Sequence, residues 1–265
     1  MSEHEVSSYP MASTVVTAAN ILEAIASHDK VLPQSLAKEL DLNRSTVHRM
    51  LHTLQILGYV GKQPDGYYRL TFHLFEIGNS VLHSRNLIDS ARRSLLQLST
   101  DTGFTVNHAV LFEDETLYVD KASPPSYLQL DRSIGETEPL HCTSLGKTLL
   151  AFQREEEQAR ILSSIELPAL TPYTITDRGK LERELATVRE QGYAVDNQEL
   201  ALELRCLAAP VRSSDGRLLS AVSISGPADR LLPETIPELL PRLLEAVRTI
   251  SVNMEQTESS SPPVC

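Results

Sequence analysis

The chain has 265 residues, with 24 basic and 35 acidic side chains and a formal charge of −11. That balance argues against a protein that coats nucleic acid or an anionic membrane by bulk charge. Its hydrophobic content of 41% suits a soluble globular core.

No apolar run approaches the ~20 residues that a membrane crossing needs. The first ten residues lack the basic and apolar regions of a secretory leader. Three cysteines, Cys142, Cys206 and Cys265, show no metal-like spacing and fit a reducing cytoplasm. Neither a metal nor a cofactor is expected.

Charge is unevenly placed. Between residues 30 and 69, Lys30, Lys38, Arg44, Arg49, Lys62 and Arg69 face only Glu39, Asp41 and Asp65. Residues 90–265 carry 17 basic and 26 acidic side chains. The two ends of the chain are therefore built for different partners.

Residues 1–13 are polar and expected to be a disordered tail. From Val15, apolar residues recur at helical spacing through Ala26. Pro33 suits the first turn of a short second helix, with Leu36, Ala37 and Leu40 inward. After the turn Asp41-Leu42-Asn43, Asn43 is a natural N-cap for a third helix that Gly58 ends. Tyr59–Lys62 and Tyr67–Leu70 then read as a β-hairpin around Pro64-Asp65-Gly66. Helix, helix, turn, helix, hairpin is a winged helix-turn-helix, placed at 14–70.

Residues 71–89 are expected to form a linker helix. Residues 90–254 read as α+β: a helix near 91–100, and strands at 105–112, 116–121, 127–131, 204–211 and 218–225. Helices are predicted at 144–152, 155–163, 177–191 and from about 235 to 254. One antiparallel sheet with helices around it is the expected architecture. The Ser/Pro-rich stretch 255–265 reads as a second disordered tail.

With Val47, Leu51 and Leu54 inward, the third helix turns Arg44, Ser45, His48, Arg49 and His52 outward. Asn43 and Thr46 stand at its start. Guanidinium, hydroxyl and imidazole groups suit phosphates and major-groove base edges. Lys62 and Arg69 flank the hairpin, where a wing meets the backbone. A winged helix that docks a protein is the bland alternative; the local basic charge favours double-stranded DNA.

Enzyme readings are weaker. Gly146-Lys147-Thr148 ends like a phosphate-binding loop, but His141 stands where that motif needs its first glycine. His48 and His52 have no acidic residue between them to make a metal-dependent hydrolase. No nucleophile elbow is present, and neither Cys142 nor Cys206 has a local partner. A small-molecule enzyme in the second half stays open only through a distant partner.

The run Asn43-Arg-Ser-Thr-Val-His-Arg-Met-Leu51, followed by Leu57-Gly-Tyr-Val60 and Tyr68-Arg-Leu70, resembles the IclR family of bacterial transcriptional regulators. Pro139-Leu-His-Cys-Thr-Ser-Leu-Gly-Lys-Thr-Leu-Leu-Ala151 is similar to that family's effector-domain block. So are Gly192–Glu199, Arg205–Val211 and Ala221–Pro227. Tyr68–Gly78 resembles its KdgR-like branch, which controls sugar-acid catabolism.

The resemblance implies a GAF-like effector domain whose pocket has Asp196, Cys206, Ser223 and Ser225 as its polar wall. It also implies backbone N–H groups from Thr143, Ser144, Leu145 and Gly146, and an apolar side from Leu128 or Leu130. A helix N-terminus favours a carboxylate, and Asp196 would accept hydrogen bonds from ligand hydroxyls. A small organic acid, sugar acid or keto acid, is the expected effector. The assembly implied is a homodimer or a dimer of dimers on a pseudo-palindromic operator. Glu203 stands where the family usually has glycine, so it points to solvent or reshapes the pocket edge.

Overall fold

A computed structural model describes residues 10–28, 30–84, 87–124 and 133–258. The chain divides into two compact units, Met1–Val81 and Leu82–Cys265.

The first unit contains α1 (Ser13–Ala26), α2 (Pro33–Glu39), α3 (Arg44–Ile56) and the antiparallel hairpin β1 (Val60–Lys62) and β2 (Tyr68–Leu70). A bridge from Val31 to Tyr68 ties the α1–α2 connection to the hairpin. Ile21, Ile25, Leu36, Val47, Leu51, Leu54, Val60 and Tyr68 close a single core. Met50 and Leu51 are both inward on α3.

Gly58, at φ +82°, ends α3. Its N–H donates to the Gln55 carbonyl while the Tyr59 N–H reaches back to Leu54, a Schellman closure that a left-handed glycine makes possible. At the other end, Asn43 holds the N-cap position with extended backbone, but its side chain makes no capping bond. The cap predicted for it is positional only.

α4 (Phe72–Ser84) is followed by α5 (Leu87–Thr102), so the helix expected near 91 begins at Leu87. The second unit is one antiparallel sheet of six strands in the order β5-β4-β3-β8-β7-β6. These are β3 (Thr105–Phe112), β4 (Glu115–Ala122), β5 (Thr137–Pro139), β6 (Ala194–Asn197), β7 (Leu204–Arg212) and β8 (Leu218–Pro227). The short edge strands β5 and β6 were not predicted. Three or four residues leave too little alternation for a period-2 signal to register. The strand predicted at 127–131, with Leu128 and Leu130, lies outside the described residues.

α5 and α9 (Ile236–Glu258) cover one face of the sheet, burying Val106, Val110, Leu207, Ala209, Val222 and Ile224. α6 (Ser144–Ala151) lies across the other face, backed by α8 (Arg178–Gln191), with α7 (Glu155–Ser164) adding Ile161 and Leu162 to that layer. α9 runs past the predicted stop at 254. Met254 is buried, Glu255 and Gln256 favour helix, and the Glu255 carboxylate takes the Ser214 N–H.

The sheet face under α6 carries small residues, Ala109, Ala194, Ala208 and Ala221, which let a helix lie close. Gly146 completes that approach: a Cβ there would sit 2.4 Å from the Leu140 carbonyl oxygen. Any side chain at 146 would push α6 off its seat.

Candidate nucleic-acid interface and effector pocket

α3 has two chemically opposite faces. Val47, Met50, Leu51 and Leu54 are buried; Asn43, Arg44, Ser45, His48, Arg49 and His52 are exposed, and Thr46 is half-buried. The turn at Asp41 (φ +50°) aims the start of α3 outward, beside α2. A shallow groove there is lined by Gln34, Ser35, Lys38, Asn43 and Arg44. Gln34, Ser35 and Lys38, on the polar side of α2, thus lie beside the start of the predicted set.

Lys62 and Arg69 are both exposed on the hairpin, at neighbouring rungs. Arg44, Arg49, Lys62 and Arg69 form no ion pair among the described residues. Lys30 behaves differently: it bonds the Asp65 carboxylate at 3.0 Å and lies over the Tyr67 ring. The positive charge of this unit is thus concentrated in unpaired guanidinium and ammonium groups on α3 and the hairpin. Such groups can replace the counterions of a phosphate backbone.

In the second unit, register gathers residues far apart in sequence. Asp196 on β6 pairs with Cys206 on β7, and Cys206 pairs with Ser225 on β8. Ser223, two residues earlier, points to the same face beside Asn107 of β3. Asn107 Nδ2 donates to Ser225 Oγ at 3.1 Å and to Ser223 Oγ at 3.4 Å. Asn107 was not predicted; only the β3–β8 register reveals it.

α6 begins above this row. Thr143 Oγ1 accepts the Gly146 N–H, and the Thr143 carbonyl accepts the Lys147 N–H. The helix therefore uses the Gly146 amide itself, which corrects its expected place among the free donors. Among the described residues, the amides of Ser144 and Leu145 keep no acceptor. The Leu145 side chain packs into the core, and the Ser144 hydroxyl lies within hydrogen-bond reach of the Cys206 thiol.

Electrostatics here are dominated by burial. Asp196 is 1% exposed. Its Oδ1 accepts the Glu199 N–H at 2.7 Å, while Oδ2 has no partner. Burial pushes its pKa up to about 7. Burial likewise pushes Cys142 up to about 12 and Cys206 well above its ordinary value, so both stay thiols at neutral pH. A protonated thiol is a poor nucleophile.

Lys147, the lysine of the apparent phosphate loop, is buried. Its Nζ bonds Glu199 at 2.6 Å and Glu184 at 3.0 Å. It clamps α6 to α8 and to the segment after β6. Glu138, also buried, accepts a hydrogen bond from the Tyr118 hydroxyl. Lys147 stood out in the sequence only as part of that false phosphate loop, and Glu138 not at all. Glu203 (φ +67°) is exposed, so its side chain points to solvent. Among the described residues no cluster of His, Cys, Asp or Glu could hold a metal ion, and no helix is long and apolar enough to cross a membrane.

Comparison with known proteins agrees with this two-part design. Residues 14–64 match the IclR helix-turn-helix domain, and residues 79–252 match the bacterial transcriptional regulator IclR C-terminal domain. The chain is 36% identical over 243 residues to the HTH-type transcriptional regulator KdgR of Dickeya chrysanthemi, covering 91% of this chain and 80% of that one. It is 34% identical to the transcriptional repressor IclR of Escherichia coli, over 88% of this chain and 86% of that one. The crystal structure of Thermotoga maritima IclR superposes with a TM-score of 0.75 at 31% identity, covering 92% and 99% of the two chains. The chain is accordingly a DNA-binding transcriptional regulator, and it belongs to the IclR family, on the KdgR-like side of it.

Proposed function

We propose that the chain represses a catabolic operon and changes its grip on double-stranded operator DNA when a small organic acid fills the second unit. The observation that carries the effector half is the unpartnered, buried Asp196 Oδ2 in one row with Cys206 and Ser225. A buried polar atom without a partner costs about 1–3 kcal/mol, and a polar ligand would remove that cost. The free amides of Ser144 and Leu145 at the α6 N-terminus favour its carboxylate end. Asp196, Cys206, Ser223, Ser225, Thr143, Ser144 and Leu145 are the residues assigned to it, with Asn107 added. Leu128 and Leu130 keep the apolar role that the resemblance implies.

On the DNA side, Arg44, Ser45, His48, Arg49 and His52 meet base edges and phosphates. Asn43 and Thr46 anchor the start of α3, and Lys62 and Arg69 hold the flanking backbone. Six basic residues between 30 and 69 give one copy little nonspecific hold. A homodimer or dimer of dimers supplies the rest. Repression fits the repressor named among the relatives.

Fluorescence anisotropy with the DNA upstream of the chain's own gene tests this reading. Salt-dependent binding to that duplex, altered by an organic acid such as pyruvate or D-gluconate, is the expected result. Equal affinity for unrelated duplexes, whatever acid is present, would overturn it.

A further inference from the structure

The pocket side of the sheet holds more negative charge than an acid ligand tolerates. The charged and titratable groups around Asp196 come from every element packed on it: Glu199 from the segment after β6, Lys147 from α6, Cys206 from β7, Glu138 from β5, and Cys142 just before α6. Lys147 is the cation in that set, and its ammonium is already shared by Glu199 and Glu184. Glu138 has a hydroxyl donor in Tyr118. Ionised Asp196 draws backbone donors from Glu199, on Oδ1, and from Leu200, and its Oδ2 keeps no hydrogen-bond partner. A ligand carboxylate at the Ser144 and Leu145 amides would bring a further negative charge into the same buried space.

We propose that this pocket takes up its organic acid together with one proton, which sits on Asp196 Oδ2 and is donated in a hydrogen bond to an oxygen of the ligand. The inference rests on the organic-acid reading above and reverses the acceptor role that hydroxyl recognition gives Asp196. No covalent bond of the ligand changes; the proton comes from solvent whenever Asp196 is ionised in the free protein. The ligand class follows: a monocarboxylate with a keto or hydroxyl oxygen close to its carboxylate. A dianion would carry one negative charge too many. Burial holds the free carboxyl near neutrality, at about 7, so the coupling falls within reach of ordinary pH. Affinity is flat below that value and drops about tenfold per pH unit above it.

Isothermal titration of the full chain with glycolate, pyruvate and D-gluconate, in phosphate and in Tris, at pH 6 and pH 8.5, provides the test. The expected result is an affinity more than tenfold weaker at pH 8.5 than at pH 6, with close to one proton taken up per site at pH 8.5 and almost none at pH 6. Asp196→Asn, whose amide donates without titrating, should bind with little pH dependence. Binding that is flat with pH and takes up no proton overturns the coupling and leaves the organic-acid reading standing. No heat from any acid at either pH contradicts the organic-acid reading itself. Without ligand, the melting temperature of Asp196→Asn should gain on wild type as pH rises from about 4 to 7 and level off above that. A constant difference there also overturns the proposal, whether or not an acid binds.

Discussion

In the first unit, every residue assigned to DNA is exposed or half-buried, and the helix that carries most of them buries only apolar side chains. In the second, every described residue assigned to the effector is buried except Ser225, which is half-buried. The first unit keeps its chemistry outside a dry core. The second carries chemistry inside, as a row of polar residues under a helix that lies close because Gly146 and four alanines allow it. An outward-facing reader depends little on the stability of its scaffold. An inward-facing pocket must balance every buried charge, and it pays for that in stability.

The sharpest way to break this contrast is to remove the buried cation. Lys147→Ala leaves Glu199 and Glu184 without their counter-charge and should cost the second unit about 3–5 kcal/mol. Urea unfolding followed by probes in each unit should show that loss only in the second. A loss under 1 kcal/mol would mean the clamp is dispensable.

Acid should separate the units next. His108 on β3 is fully buried, shares a 2.8 Å hydrogen bond with Ser220 Oγ, and has its pKa lowered by burial to about 4. The unfolded chain takes up this proton first, near 6.5. Stability is therefore complete above 6.5 and is lost as pH falls from there toward 4, by about 3 kcal/mol in all. Asp196 acts oppositely over the same range, because its raised pKa adds stability as pH falls. The test is therefore a difference between variants: calorimetry at pH 7 and pH 4.5 should show wild type losing ground to His108→Gln at the lower pH.

Smaller in energy but decisive for the reader, Arg44→Ala with Arg49→Ala should weaken operator binding by about 1–3 kcal/mol, since one good base contact is worth that much. The melting profile should not move, because both side chains are exposed and unpaired. Smallest is Glu203→Gly. It relieves a left-handed residue with an exposed side chain and should stabilise the second unit by about 0.5–1 kcal/mol. A shift the other way would mean that the Glu203 side chain is held by something besides its backbone.

The same contrast explains what the sequence revealed. Helical period exposes both faces of α3 within thirteen residues, so Arg44, His48 and Arg49 stood out without partners. The spacing of Ser223 and Ser225 likewise placed them on one face. Asn107 could not be found that way, because its neighbours lie 116 and 118 residues further along. Lys147 looked like part of a phosphate loop because its two carboxylates come from α8 and from the segment after β6, positions no local pattern links. Edge strands β5 and β6 were too short to show alternation. The α9 extension was hidden by the polar composition of residues 255–258, which suits an exposed final turn as well as a tail.

The central claim is that reading and sensing are housed apart, so either can be removed alone. Its most direct test is operator anisotropy, with and without the acid, on Asp196→Ala and Ser225→Ala. Both variants should bind the operator within about twofold of wild type when no acid is present, and both should lose most of the acid's effect. Loss of operator binding in the absence of acid would show that the row is a structural support, and the division proposed between the units would fail.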